Sequence, residues 1–132
     1  MRRLFAFLPV LLLALLPFTA QAACATNDKT KTSVISGAIS TGHAYAKHKG
    51  EFTKGVNIGG VAYPGNTVAS NADFATVIAA TMGSGTNKGL SGGRHAWYSS
   101  GDNVVVIFNP TAGDCGTAFR PTGGISYYNG LS

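Results

Sequence analysis

One short stretch, Gly42–Phe52, holds two of the three histidines, two lysines and the only glutamate of this chain. Histidine titrates near neutral pH, so two imidazoles can start a reaction in opposite protonation states. One can take a proton from a ribose 2′-hydroxyl while the other protonates the departing 5′ oxygen, and a nearby cation or hydroxyl can hold the charge on the phosphate. This set of groups therefore suits metal-free cleavage of RNA that leaves a 2′,3′-cyclic phosphate.

The sequence argues against several other kinds of active site. It has no H-E-x-x-H motif, no C-x-x-C pair and no Gly-rich phosphate loop after a predicted strand. His43 and His48 are five residues apart, which is not the spacing of two zinc ligands on one helix face. The paired carboxylates of two-carboxylate hydrolysis are also missing. We therefore expect no metal and no cofactor.

A helix is predicted to position this stretch. Thr41 can cap a helix over residues 42–49, and a glycine follows it. On that helix His43 and Lys47 are four residues apart and share a face, while His48 lies on a neighbouring face. The helix would therefore present His43 and Lys47 together.

A second helix and then a run of strands follow. Residues 72–82 carry apolar side chains with the i, i+3, i+4, i+7 spacing of one buried stripe, after a capping Ser70 or Asn71. Residues 104–108 form an unbroken β-branched and aromatic run, which is typical of a central strand. Shorter strands are predicted at residues 94–99, 117–120 and 125–128. This order predicts an α+β fold in which N-terminal helices pack on a small antiparallel β-sheet.

The first 22 residues have the pattern of a secretory signal peptide. A basic start, a short apolar run and an A-x-A sequence predict cleavage after Ala22. The mature part, residues 23–132, suits one small domain that is secreted or periplasmic, with no stable membrane anchor. An exported chain with two cysteines is expected to join them, here Cys24 to Cys115, in a disulfide. The alternative is a lipid anchor on Cys24.

The charge balance is basic but modest. The net charge is +5, and it falls to +3 when Arg2 and Arg3 leave with the signal peptide. Such a balance permits a polyanionic partner but does not require one.

Each of the candidate site residues could also have a purely structural role. Histidines and lysines on an exposed helix are commonly a solvated face. His95, beside Arg94, can equally be a surface residue, and Thr117 an ordinary strand threonine. Of Tyr127 and Tyr128, at least one is expected to pack, since neighbouring strand residues point to opposite faces.

The chain resembles the RNase domains of bacterial polymorphic and contact-dependent inhibition toxins, the barnase–EndoU–colicin–RelE (BECR) group. The most specific strings are G-H-A-x-x-K-H-x-x-E-F at residues 42–52 and G-T-A-F-R-P at residues 116–121. A Gly-Arg segment with Trp and Tyr at residues 93–98 lies between them, and the match runs from about residue 42 to residue 131 in the same order. The signal peptide directly before the domain departs from the family, whose domains usually end a large delivery protein.

The resemblance implies a BECR-like RNase fold and a metal-independent endoribonuclease, often one that acts on tRNA. His43 would be the principal acid or base, Lys47 or His48 its helper, and Thr117 the hydroxyl near the scissile phosphate. The second acid is left open among His48, His95 and Tyr128. The residues expected to bind substrate are Arg94, His95, Arg120 and Tyr128. RNA would be the substrate, a cognate immunity protein a partner, and the protein a monomer.

A non-catalytic exported binding protein is the main alternative. In that case Lys47, Arg94 and Arg120 would form an anion-binding groove for a ligand of the cell envelope or of a host. Such a protein would show charge dependence without any single critical histidine.

Overall fold

The computed structural model describes residues 23–53, 55–64 and 68–132. The predicted signal peptide, residues 1–22, lies outside the described residues. The fold is α+β, with helices first and an antiparallel sheet after them, as the sequence predicted.

The first helical segment, residues 32–52, is longer than predicted and is not a regular helix. Thr41 does not cap it, because its hydroxyl lies inside the segment and donates to the Gly37 carbonyl oxygen at 2.8 Å. The segment consists of α1 (Thr32–Ile39), a π-helical turn (Ser40–Ala44), α2 (Tyr45–His48) and a 3₁₀ turn (Lys49–Phe52). The π-helical turn, which places one extra residue in the turn, falls on the predicted catalytic stretch, and such turns are frequent at functional sites.

The second predicted helix is confirmed as α3 (Asn71–Ser84). The Ser70 hydroxyl accepts a hydrogen bond from the backbone N–H of Asp73 at 3.1 Å, which is the geometry of an N-cap. The predicted apolar stripe is buried, and it consists of Phe74, Val77, Ile78 and Thr81.

Four antiparallel strands form the main sheet in the order β3-β4-β5-β6. They are β3 (Thr86–Gly89), β4 (His95–Ser99), β5 (Val104–Phe108) and β6 (Gly116–Phe119). Three of them match predicted strands, whereas the polar β3 was missed. A separate hairpin of β1 (Val56–Ile58) and β2 (Val61–Tyr63) precedes α3.

The strand predicted over residues 125–128 is wrong, because this part of the chain is helix α4 (Ile125–Asn129). The turn at its start already contains hydrogen bonds from a backbone N–H to the carbonyl oxygen three residues earlier. Gly124 donates to Pro121, and Ser126 donates to Gly123. Isoleucine and tyrosine are enriched in strands, but this preference depends on the packing around them, and here Tyr128 packs on Tyr98.

The sheet separates two apolar clusters. On one face, Trp97, Val106 and Phe108 pack against α1 and α3 in the larger core. On the other face, Tyr98 and Val105 pack with Tyr128 in the smaller cluster. β6 is an edge strand of the sheet, and the π-helical turn packs against it. The predicted catalytic stretch therefore lies beside this edge.

The predicted disulfide between Cys24 and Cys115 is confirmed. Both cysteines are buried, and the bridge spans a sequence separation of 91 residues. A buried disulfide fits a location outside the cytoplasm. In the part of the chain that the structure describes, none of the helices has the length and apolar character needed to span a bilayer.

Candidate active site

A cavity of about 470 Å³ lies between the first helical segment and the β5–β6 end of the sheet. The four residues predicted to be catalytic, His43, Lys47, His48 and Thr117, all line it. The rest of its wall consists of Arg94, Ile107, Asn109, Ala112, Asp114, Gly116 and Phe119. The fold therefore brings the two halves of the predicted site together across more than 60 residues of sequence.

His43 is held by a carboxylate from the β5–β6 loop. Its Nδ1 donates to Oδ2 of Asp114, and the other carboxylate oxygen accepts the backbone N–H of Gly116 at 3.2 Å. Because Asp114 is fixed by its own loop, it fixes the His43 ring in turn. The His43 side chain remains 49% exposed, so a large substrate can reach it.

Gly42 allows the turn that carries His43 to come close to Asp114. A Cβ on Gly42 would lie 2.5 Å from the Cβ of Asp114, far inside van der Waals contact. The ψ angle of Gly42 is −113°, outside the helical range, and this departure shapes the turn that carries His43. The glycine before His43 therefore lets the helical segment and the Asp114 loop touch.

His48 has a second carboxylate of its own. Its Nδ1 donates to Oε2 of Glu51, three residues along the same segment, while Oε1 accepts the backbone N–H of Arg120 at 2.9 Å. The His48 ring stacks on Phe119 with the ring centroids 5.3 Å apart. Its side chain is only 15% exposed, so His48 is more recessed than His43.

The two pairs share one chemical consequence. A carboxylate on Nδ1 holds the proton there in the neutral imidazole, so the lone pair lies on Nε2. The same carboxylate stabilises the imidazolium when Nε2 takes up a proton. His43 and His48 are thus both arranged to accept or donate a proton through Nε2.

Lys47 and Thr117 complement the histidines. Lys47 is exposed and follows His43 by one helical turn, so its ammonium group can reach an anion at the cavity mouth. Thr117 pairs with Ile107 in the register of β5 and β6, and both line the cavity. The preceding Gly116 has φ 128°, and a Cβ there would collide with the Ile107 carbonyl oxygen.

Arg94 lines the cavity while several of its donors are engaged. Its guanidinium donates to the carbonyl oxygen of Ser91 at 3.0 Å, to the Ser91 hydroxyl at 3.1 Å and to the backbone oxygen of Ser132 at 2.6 Å. Through these contacts Arg94 connects Ser132 to the turn before β4.

Arg120 also contacts the protein backbone. Its guanidinium donates to the carbonyl oxygens of Glu51 and Asp102, at 3.2 Å and 3.0 Å. Together with its backbone N–H on the Glu51 carboxylate, it joins the end of β6 to the turn that supports His48.

His95 and Tyr128 lie away from His43. His95 is buried on the α3 side of the sheet, where Nε2 bonds Asn87 Oδ1 at 3.0 Å, and burial, aided by the charge of Lys29, lowers its pKa. Tyr128 is buried in the smaller cluster, and burial raises its pKa. Of the three residues left open as the second acid, only His48 lines the cavity with His43.

Sequence reasoning assigned no role to Asp114 or Glu51. Glu51 could have been found, since residues three apart on a helix face each other and His48 is three residues earlier. Asp114 gave no such signal, because only the folded chain brings it to His43.

No protein-family model, curated protein or solved structure matches this chain. The resemblance to polymorphic-toxin RNase domains therefore stays a prediction from short sequence strings.

Proposed function

We propose that this protein is a metal-independent endoribonuclease, exported behind its own signal peptide and acting as a toxin. One observation carries the proposal: two histidines, each with a carboxylate on Nδ1, line the same cavity. Paired general acid and general base groups are what cleavage by 2′-hydroxyl attack requires.

The reaction moves one proton to the enzyme and one from it. Nε2 of one neutral histidine takes the proton of the ribose 2′-hydroxyl as the 2′ oxygen forms a bond to phosphorus. The bond between phosphorus and the 5′ oxygen breaks, and the other histidine, protonated at Nε2, gives its proton to that oxygen. The products are a 2′,3′-cyclic phosphate and a 5′-hydroxyl, and the chemistry restricts the substrate to RNA.

Lys47 and Thr117 stabilise the negative charge on the phosphate in this reaction. The Lys47 ammonium group offsets the charge that grows on the non-bridging oxygens, and the Thr117 hydroxyl donates a hydrogen bond to one of them. Donors placed where charge develops lower the barrier without reorganisation of solvent. A monomer with a cognate immunity protein as partner belongs to the same proposal.

The carboxylates favour catalysis over simple anion binding. Asp114 and Glu51 lower the positive charge around the cavity, which weakens an anion-binding groove. They contribute instead by fixing the tautomer of each imidazole, and that matters only if a proton moves. In a non-catalytic binding protein the two carboxylates would keep only their structural contacts to the backbone N–H groups of Gly116 and Arg120.

Cleavage of tRNA by the oxidised mature domain in EDTA tests the proposal. We expect cleavage with cyclic phosphate ends by the wild type, and loss of about 10²-fold or more in a folded His43→Ala variant. A Lys31→Ala variant, which removes an exposed lysine of another region, serves as the charge control and keeps full activity. No cleavage by the folded wild type would favour the anion-binding alternative, and equal losses of cleavage in both variants would remove His43 from its catalytic role.

A further inference from the structure

The disulfide joins the two chain segments that carry the His43–Asp114 pair. Cys115 directly follows Asp114, and Cys24 lies eight residues before the start of α1, which leads into the turn that carries His43. The backbone N–H of Cys24 also donates to the Pro110 carbonyl oxygen at 3.1 Å. We infer that the bridge positions Asp114 against His43 and confines the proposed RNase activity to the oxidised protein. The part that concerns activity rests on the proposed function.

The backbone next to Asp114 depends on its surroundings. Cys115 has φ 64°, a conformation that residues with a side chain rarely adopt, and it is followed by Gly116 with φ 128°. Residues held in such conformations persist only where the surrounding structure fixes them. Without the bridge, only backbone hydrogen bonds hold Cys115 in this conformation, and relaxation to negative φ would turn the peptide that joins it to Asp114.

The backbone of Cys115 also makes two hydrogen bonds within the loop. The N–H of Asn109 donates to the Cys115 carbonyl at 2.8 Å, and the N–H of Cys115 donates to the Ala112 carbonyl at 3.0 Å. The backbone pairing of the sheet does not involve the bridge and the smaller apolar cluster contains neither cysteine, whereas both cysteines belong to the larger cluster. We therefore expect loss of the disulfide to loosen Asp114 locally while the domain stays folded.

The other histidine pair provides an internal control. His48 and Glu51 belong to the same helical segment and lie three residues apart, and the backbone N–H of Arg120, the residue after β6, donates to Glu51. Among the described residues, no hydrogen bond links either cysteine to His48 or Glu51. A positioning role for the disulfide should therefore affect His43 and leave His48 unchanged.

Oxidation would couple activity to export. Two thiols lose two electrons and two protons when the bridge forms, and a small disulfide such as oxidised glutathione takes them up to give two thiols. Reducing compartments keep cysteines as thiols, so the chain would reach its active geometry only after leaving the cytoplasm. Cys115 is 1% exposed once folded, so the state is set while the protein folds rather than afterwards.

Three forms of the mature domain test the inference: the oxidised protein, the protein refolded in dithiothreitol, and the Cys24→Ser/Cys115→Ser variant. The ¹⁵N chemical shifts of the imidazole nitrogens report which nitrogen carries the proton. An oxidised Asp114→Ala variant supplies the reference spectrum of a released His43. Circular dichroism sets the temperature at which all forms are folded, and tRNA cleavage is measured there.

We expect both bridge-free forms to show the released spectrum for His43, an unchanged spectrum for His48, and cleavage reduced at least about tenfold. The fall should stay below the roughly 10⁴-fold that follows loss of the orienting carboxylate in a catalytic triad. An unchanged His43 spectrum, equal changes at both histidines, or a bridge-free chain that does not fold would each overturn the positioning role. If the oxidised protein cleaves no RNA, the proposed function fails, while the His43 spectrum still decides the role of the bridge.

Discussion

Replacement of Gly42 by alanine should disrupt the His43–Asp114 contact while the protein remains folded. The new Cβ would lie 2.5 Å from the Cβ of Asp114, where ordinary contacts are 3.4 Å or longer. The obstructing atom is bonded directly to the Asp114 backbone, so no side-chain rotation relieves the clash. The helical turn and the loop must therefore move apart by about 1 Å, a displacement that can cost roughly 10²-fold in rate when it misplaces a catalytic group.

Gly37→Ala provides a matched control. Gly37 lies in α1 of the same helical segment, and a Cβ there meets nothing within 4 Å. Alanine in a helix is favoured over glycine by about 0.5–1 kcal/mol, so this variant should be slightly more stable and fully active. Gly42→Ala should instead lose about 1–3 kcal/mol of unfolding free energy through overpacking.

The assay combines three measurements on both variants. They are the initial rate of tRNA cleavage in EDTA, the unfolding free energy from urea titration, and the ¹⁵N shifts of the His43 ring nitrogens. We expect Gly42→Ala to lose activity and to show a released His43 while it remains folded. A Gly42→Ala protein as active and stable as the wild type, with an unchanged His43 spectrum, would refute the argument that this glycine permits the His43–Asp114 contact.

Three further predictions concern the second histidine, the bridge and the buried histidine. Glu51→Gln can offer its NH₂ group to Nδ1 of His48, which reverses the tautomer, so the cleavage rate should fall about 10²–10⁴-fold with little change in melting temperature. The Cys24→Ser/Cys115→Ser variant should lose up to about 4–5 kcal/mol of unfolding free energy in urea titrations, because the bridge closes a long loop of the unfolded chain. The pKa of His95 lies below its ordinary 6.5 in the folded protein, so its contribution to stability is complete above pH 6.5 and is lost as the pH falls through the lowered folded value. Melting temperatures across pH 4–8 should fall less on the acid side in His95→Asn than in the wild type.

Local patterns in the sequence were enough to predict several elements. The i, i+3, i+4, i+7 stripe and its serine cap are short-range features, and α3 formed where they indicated. The β-branched run of residues 104–108 likewise became the buried strand β5. Two cysteines left one intramolecular pairing, which is present.

Packing overrode local preference at other positions. Residues 125–129 have strand-favouring side chains but form a helix, because that places Tyr128 on Tyr98. Strand β3 was missed because its residues are mostly polar and carry no hydrophobic alternation. The π-helical turn at residues 40–44 could not be predicted from the helical spacing, which assumes regular geometry throughout.

The sequence by itself determined which groups are available for chemistry: two nearby histidines, a lysine, a threonine and one disulfide. Their identities and short-range spacing suffice for that, since they do not depend on the path of the chain. Only the tertiary structure decided that Asp114 would hold His43. It also decided that His95 would be buried on the α3 side of the sheet and outside the cavity that His43 lines. The first depends on a contact between residues 71 positions apart, and the second on which face of β4 meets the core, and neither is encoded in any local stretch of residues.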